Sequence, residues 1–131
     1  MAFISNPELR KRGQEVYAEL YGGSHADEMT SEYNEKSSDF ADMSLEWAIG
    51  GLFGRPGLDL KSREFVAFAL CVADGRVQDA VLAHAEACIR AGATKREVYE
   101  VVLNTIWYVG AGGASLAFST LKDFFADMEE A

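Results

Sequence analysis

The sequence has few cysteines and prolines and no long apolar run. Its 131 residues contain two cysteines, Cys71 and Cys88. These are too few for a disulfide framework and too far apart for a CxxC redox motif, so both are expected to be free thiols. Two prolines and no low-complexity tract give no sign of a linker, which predicts one domain over residues 1–131. Because no apolar run reaches about 18 residues, no membrane span is predicted.

Basic residues are also scarce, with 12 Lys and Arg against 21 Asp and Glu and a net charge of −9. An acidic surface repels nucleic acid and anionic membranes, so neither is expected as a partner. An anionic small molecule would therefore need local arginines. The N-terminal stretch MAFISNPELRKRG has no apolar segment followed by a small-residue cleavage site, and this predicts a cytoplasmic protein.

Apolar residues recur at helical spacing along most of the chain, and no stretch alternates as a strand would. The polar segment from Ser24 to Ser38 lacks a sustained period and is predicted to be a loop or short helical turns. The pattern as a whole predicts an all-α fold of about six helices. The predicted helices cover residues 7–21, 39–53, 60–73, 77–91, a segment opened by the Thr94–Glu97 capping box, and 114–128 after a glycine-rich interruption at 110–113.

Two of these helices, the one after Asp59 and the one after Thr94, are apolar on nearly every side. A single bundle of this length rarely buries so much apolar surface by itself. We therefore expect a homo-oligomer, with part of this surface covered by another subunit.

His84 is the first candidate catalytic residue. It is predicted to lie on the inward face of its helix, and an imidazole can act as an acid or a base near neutral pH. The same local pattern fits a core histidine hydrogen-bonded to a carbonyl or a carboxylate. His84 and Cys88 are four residues apart, but nothing else completes a nucleophile pair or a metal site around them. Glu46 and Glu64 sit in apolar segments where burial would favour proton exchange, although each also fits an exposed helix position.

Arginines and aromatics around the central helices are the candidates for substrate binding. Guanidinium groups hold carboxylates with two hydrogen bonds, which suits Arg55, Arg63 and Arg76, and surface ion pairs are the alternative. Trp47 and Trp107 could wall an apolar pocket, or belong to the core as aromatics at helical spacing do. The sequence leaves these alternatives open.

The combination of several motifs resembles the carboxymuconolactone decarboxylase family. The resemblance covers most of the chain, and although each piece alone is weak, the combination is specific. The matching stretches are ELYGG at 19–23, EWAIG at 46–50, RPGL at 55–58, SREF at 62–65, Asp-Gly-Arg at 74–76, HAEACIRAGATKREVYEVVLNTIWYVG at 84–110 and ASLAFSTLKDFF at 114–125.

This resemblance implies an all-α fold shared with alkylhydroperoxidase D proteins, assembled as trimers, hexamers or related rings. It also implies decarboxylation of 4-carboxymuconolactone without a cofactor or a metal, in the breakdown of aromatic acids. Loss of carbon dioxide leaves electrons that delocalise toward the lactone carbonyl, so an acid must return a proton to carbon. By resemblance His84 transfers that proton, Glu64 could add a proton donor near it, and Arg55, Arg63 and Arg76 are candidates to hold carboxylates.

The sequence also departs from the family pattern. Val77 and Ala80 stand where the peroxidase branch has two cysteines, which argues against peroxide reduction. Ile49 and Gly51 stand where the decarboxylase branch has a tryptophan and an acid, and Glu64 stands where it more often has a serine. The alternatives are thus an isomerase, cyclase or hydrolase of the same fold, or a non-catalytic oligomeric binding protein.

Overall fold

The computed structural model describes residues 3–128, and no strand occurs in that range. The prediction of an all-α fold is confirmed. Seven α-helices and one π-helix make up the described chain: α1 Pro7–Tyr21, α2 Gly23–Lys36, α3 Ser38–Met43, the π-helix Ser44–Phe53, α4 Leu60–Asp74, α5 Gln78–Arg90, α6 Lys95–Val109 and α7 Ala111–Thr120.

The prediction of a loop or short turns between Ser24 and Ser38 is wrong, because α2 is a continuous helix there. Its apolar stripe is too weak to detect, since Ala26 is its one buried residue. Local contacts contribute instead: Thr30 Oγ1 donates to the Ala26 carbonyl at 2.8 Å, and Lys36 pairs with Glu32 one turn away.

The last helix also differs from its prediction of residues 114–128. Helix α7 begins earlier and ends at Thr120, and turns follow through residue 127. Within the predicted glycine interruption, only Gly110 lies outside a helix. Its positive φ of 84° ends α6, and α7 begins at the next residue. Gly112 and Gly113 lie inside α7.

The chain divides into two compact units, one ending at Leu60 and the other beginning at Lys61. In the first unit α1 packs closely against the π-helix, and a glycine on each side permits the approach. A Cβ on Gly13 would lie 2.1 Å from the Leu45 carbonyl oxygen, and a Cβ on Gly50 would lie 2.1 Å from that of Leu9. Only glycine fits at either position.

The second unit holds a contiguous core built from α4 to α7 and the turn that follows. The Thr94 capping box opens α6 as predicted, with the Glu97 amide donating to Thr94 Oγ1 and the Thr94 amide donating to Glu97. The fully buried core includes Phe68, Val72, Val81, Ala85, Cys88, Val98, Val102, Ala117 and Leu121. No helix in the described range is long and apolar enough to cross a membrane.

Candidate active site

A buried ion pair joins α4 and α5 in the second unit. Glu64 lies on the inward face of α4 and is fully buried, among the apolar residues of the core. His84 Nδ1 lies 2.7 Å from Glu64 Oε2, and the His84 side chain keeps 21% of its surface exposed. The pair thus has a carboxylate that water does not reach and an imidazole that solvent does reach.

The surroundings of His84 favour its protonated form. Burial lowers the pKa of the imidazole, but hydrogen bonds with Cys71 and Glu64 and the charge of Glu64 raise it more, to about 9. At neutral pH the ring is therefore an imidazolium that donates a hydrogen bond to Glu64. In that state His84 is equipped to act as an acid and to attract an anionic group.

Cys71 is the residue of this cluster that the sequence analysis missed. It lies on α4 seven residues after Glu64, so both occupy the same helix face two turns apart. Its thiol is partly buried, and it is one of the groups that raise the pKa of the His84 ring. The spacing of Glu64, Phe68 and Cys71 along one face is the signal that could have revealed it.

Cys88, four residues after His84, was considered in the sequence analysis and proves to be a core thiol. It is fully buried, and burial together with the charge of Glu64 raises its pKa to about 12. A thiol in these surroundings stays protonated and unreactive. On Glu64 itself, Oε1 is buried and has no hydrogen-bond partner among residues 3–128.

Glu46 is a second buried carboxylate, in the π-helix of the first unit. Ser5 Oγ donates to Glu46 Oε1 at 2.5 Å, the Asn6 amide donates to Oε2 at 2.6 Å, and Arg10 Nε donates to Oε1 at 2.9 Å. Burial raises the pKa of Glu46, but these hydrogen bonds and the charge of Arg10 lower it overall. Both carboxylate oxygens are thus occupied by the segment before α1 and by α1 itself.

The predicted arginines are not all in similar surroundings. Arg76 follows α4, has its side chain 86% exposed, and pairs with Asp74 at 2.7 Å. Arg63 is half-buried on α4, and Arg55 is exposed in the connection after the π-helix, in the first unit. Arg55 lines an open cavity of about 320 Å³ with Arg12, Glu15, Glu19 and Asp59. Acidic groups therefore face the arginines in that cavity.

Both tryptophans predicted to line a pocket have side chains exposed to solvent. Trp107 near the end of α6 is 88% exposed, and Trp47 in the π-helix is 64% exposed. Trp47 lines an open, mainly apolar cavity of about 350 Å³ in the first unit, with Phe3, Ile4, Asn6, Leu9, Met43 and Glu46. Within residues 3–128 no group of three or more His, Cys, Asp or Glu side chains is placed to hold a metal ion.

Comparison with known proteins places these residues in a family context. Residues 40–123, which include both Glu64 and His84, match the model of the carboxymuconolactone decarboxylase family. The 4-carboxymuconolactone decarboxylase of Acinetobacter baylyi is 32% identical over 124 residues, covering 94% of this chain and 92% of the relative. The nitrosuccinic acid decarboxylase of Metarhizium robertsii is 26% identical over 128 residues, covering 95% and 89%.

Proposed function

The chain belongs to the carboxymuconolactone decarboxylase family, and on that premise we propose that it is a cofactor-independent carboxy-lyase for a small cyclic carboxylic acid such as 4-carboxymuconolactone. Both relatives described above are named as decarboxylases. The single observation that carries the proposal is the 2.7 Å contact between the buried Glu64 carboxylate and the partly exposed imidazole of His84.

In the proposed reaction the substrate carboxylate leaves as carbon dioxide, and its bonding electrons pass to the neighbouring conjugated system. In a lactone the carbonyl oxygen receives that charge. The chain must then supply a cationic group near the charge and a proton for the carbon. His84 suits both roles, because its pKa of about 9 keeps it protonated at neutral pH.

Glu64 supports His84 in this proposal by holding the imidazolium in place. Its carboxylate has no surface exposed to water, so the attraction between the two charges is only weakly screened. After His84 gives its proton to the carbon, solvent returns one to the partly exposed ring. Arg63 and Arg76 stay candidates for binding the substrate carboxylates, and Trp107 for its apolar parts, since all three belong to the same unit as His84. Glu46, Trp47 and Arg55 belong to the other unit, and the lowered pKa of Glu46 favours its ionised form over a proton donor.

The second relative suggests a second substrate to assay. Nitrosuccinic acid also carries one carboxylate on the carbon that bears an electron-accepting group, since a nitro group takes up charge as a lactone carbonyl does. One site built around an imidazolium therefore fits either acid chemically. We place the lactone first, because the relative named for it is more similar to this chain, at 32% against 26% identity.

The test is the release of carbon dioxide from each acid by the purified protein, followed together with ultraviolet absorbance. We expect turnover without added metal or cofactor, and a fall of about 100-fold or more for His84→Ala, the size typical of a lost general acid. His25→Ala is the matched control, because the chain has two histidines and His25 is half exposed on α2. Equal activity of His84→Ala and wild type would refute the role of His84. Tight binding of an acid without turnover would favour the alternative of a binding protein.

A further inference from the structure

The residues before α1, from Phe3 to Asn6, form a non-helical segment that we call the N-terminal strap. Its contacts reach two elements much later in the chain. Ser5 Oγ and the Asn6 amide donate to Glu46 of the π-helix at 2.5 and 2.6 Å, and the Phe3 amide donates to Asp39 of α3 at 3.3 Å. Two of these three hydrogen bonds therefore end on one carboxylate.

The strap itself buries little apolar surface. Ile4 is 83% exposed, Ser5 and Asn6 are also exposed, and Phe3 is half-buried. Because the hydrophobic effect scales with the apolar area removed from water, it contributes little to holding such a segment in place. The polar contacts with Glu46 are thus the main interactions that fix the position of the strap.

Glu46 can lose these two contacts without becoming an unpaired buried charge. Its side chain is 1% exposed, and Arg10 Nε donates to its Oε1 at 2.9 Å. Arg10 also pairs with Asp42 at 2.5 Å, so the guanidinium is held on α1 independently of the strap. The buried carboxylate therefore keeps a counter-charge when Ser5 and Asn6 move away, which avoids the largest penalty of breaking a buried ion pair.

The strap also forms part of the apolar cavity of about 350 Å³ in the first unit. Strap residues Phe3, Ile4 and Asn6 contribute to its lining, and the remaining lining residues come from α1, α3 and the π-helix: Leu9, Met43, Glu46 and Trp47. Movement of the strap away from Glu46 would remove its share of this lining. The cavity is therefore complete only while the strap is closed.

We propose that Glu46 holds the N-terminal strap closed beside the cavity of Trp47, and that the whole strap opens as one unit when Ser5 and Asn6 leave this carboxylate. The strap and its contacts lie within the first unit, and this conformational device does not depend on the proposed decarboxylation.

The experiment measures amide exchange and backbone dynamics of residues 3–6 by ¹⁵N NMR on the full chain. Glu46→Gln keeps the size of the side chain but has one acceptor oxygen instead of two. Arg10 favours that oxygen at the Oε1 position, so the new NH2 group faces the Asn6 amide and two donors meet. We expect the Asn6 amide to exchange about 10-fold faster or more, as the loss of a hydrogen bond to a charged group implies.

The Phe3 amide provides the decisive second readout, because it contacts Asp39 and not Glu46. If the strap opens as one unit, the ¹H–¹⁵N NOE of Phe3 should also fall toward that of a flexible segment in Glu46→Gln. Asp39→Ala should release Phe3 alone and leave the exchange of the Asn6 amide within about twofold of wild type. Asp42→Asn is the matched control, since it alters the other carboxylate on Arg10 and should leave the strap closed.

A Phe3 that stays rigid in Glu46→Gln would overturn the proposal, and so would release of Asn6 by Asp39→Ala. Ser5→Ala gives a second test that leaves the buried carboxylate and its ion pair with Arg10 intact, in case Glu46→Gln does not fold. In this variant the Asn6 amide should exchange several-fold faster, and an unchanged rate would contradict the role of Glu46.

Discussion

The two buried carboxylates of this chain have opposite surroundings. Glu46 accepts hydrogen bonds on both oxygens, from Ser5, Asn6 and Arg10, whereas Glu64 has one oxygen on His84 and the other without a partner in the described range. The Glu46 carboxylate has a structural role, because any new contact with it would displace an existing hydrogen bond. The second oxygen of Glu64 could accept a further hydrogen bond without displacing one, and Glu64 is the carboxylate that contacts a histidine.

The Glu64–His84 pair also couples stability to pH. The pKa of His84 is about 9 in the folded chain and 6.5 without these contacts, so folding favours the bound proton. The resulting stabilisation is complete below pH 6.5 and is lost as the pH rises through about 9. Urea denaturation should therefore show the advantage of wild type over His84→Gln shrinking across this window, by at most about 3 kcal/mol.

His25→Gln is the control for that measurement, because it removes the other histidine of the chain, which is half exposed on α2. An advantage of wild type over His84→Gln that stays constant or grows from pH 6.5 to 9.5 would contradict the coupling.

The sequence identified some of these residues and not others for a physical reason. Helical periodicity placed His84 on an inward face, and Glu64 stood out as a charge in an apolar segment. A pairing between two helices depends on their packing, which a single sequence does not specify, so the 2.7 Å contact could not be derived. Cys71 was overlooked because a cysteine inside an apolar helix has the pattern of any core residue.

At the scale of single elements, α7 shows how a glycine-rich segment is used. A Cβ on Gly113 would lie 2.5 Å from the Val72 carbonyl oxygen, whereas a Cβ on the neighbouring Gly112 meets nothing within 4 Å. Gly113 therefore permits α7 to approach the backbone of α4, whereas the space around the Gly112 Cα is open.

These two adjacent glycines give a matched pair of variants. Gly113→Ala should destabilise the fold by about 2 kcal/mol or more, because the obstacle is backbone and cannot rotate away. Gly112→Ala should be neutral or stabilise by up to about 1 kcal/mol, because alanine is the better helix former. Thermal and urea unfolding measure both, and equal effects of the two substitutions would contradict the close approach.

The elements that the sequence predicted well are those with strong local signals. The capping box at Thr94 and the apolar runs of α4 and α6 gave starts and extents close to those observed. Helix α2 was missed because its stripe buries one alanine. The π-helix was predicted as part of an ordinary helix, since the wider hydrogen bonding from Gly54 N to Ile49 O has no distinct sequence pattern.

At the scale of the whole molecule, large apolar side chains are exposed on α4 and α6. Val66, Leu70, Ile106 and Trp107 are among them, with Trp107 88% exposed. An acidic chain with this much exposed apolar surface is expected to bury part of it against other copies. We therefore propose a homo-oligomer, a trimer or a hexamer, as the resemblance implies.

Light scattering after size-exclusion chromatography tests the assembly. The wild type should elute at a multiple of the 14.3 kDa chain, and Trp107→Glu should shift it to smaller species, because a charge at an apolar interface lacks solvation. Asn34→Glu, which adds the same charge to the exposed polar face of α2, is the control and should elute like wild type. A monomeric wild type would refute the proposal.

The π-helix has a consequence for how this chain should be aligned with others. Its hydrogen bonds close over five residues instead of four, which is equivalent to one extra residue inserted into an α-helix. Removing a single residue between Ser44 and Phe53 would let the segment rewind as an α-helix while the following side chains keep their present faces, whereas rewinding it at its present length would turn them by about 100°. A one-residue gap between relatives in this segment is therefore expected to mark a change between a π-helix and an α-helix, with the flanking helices left in register.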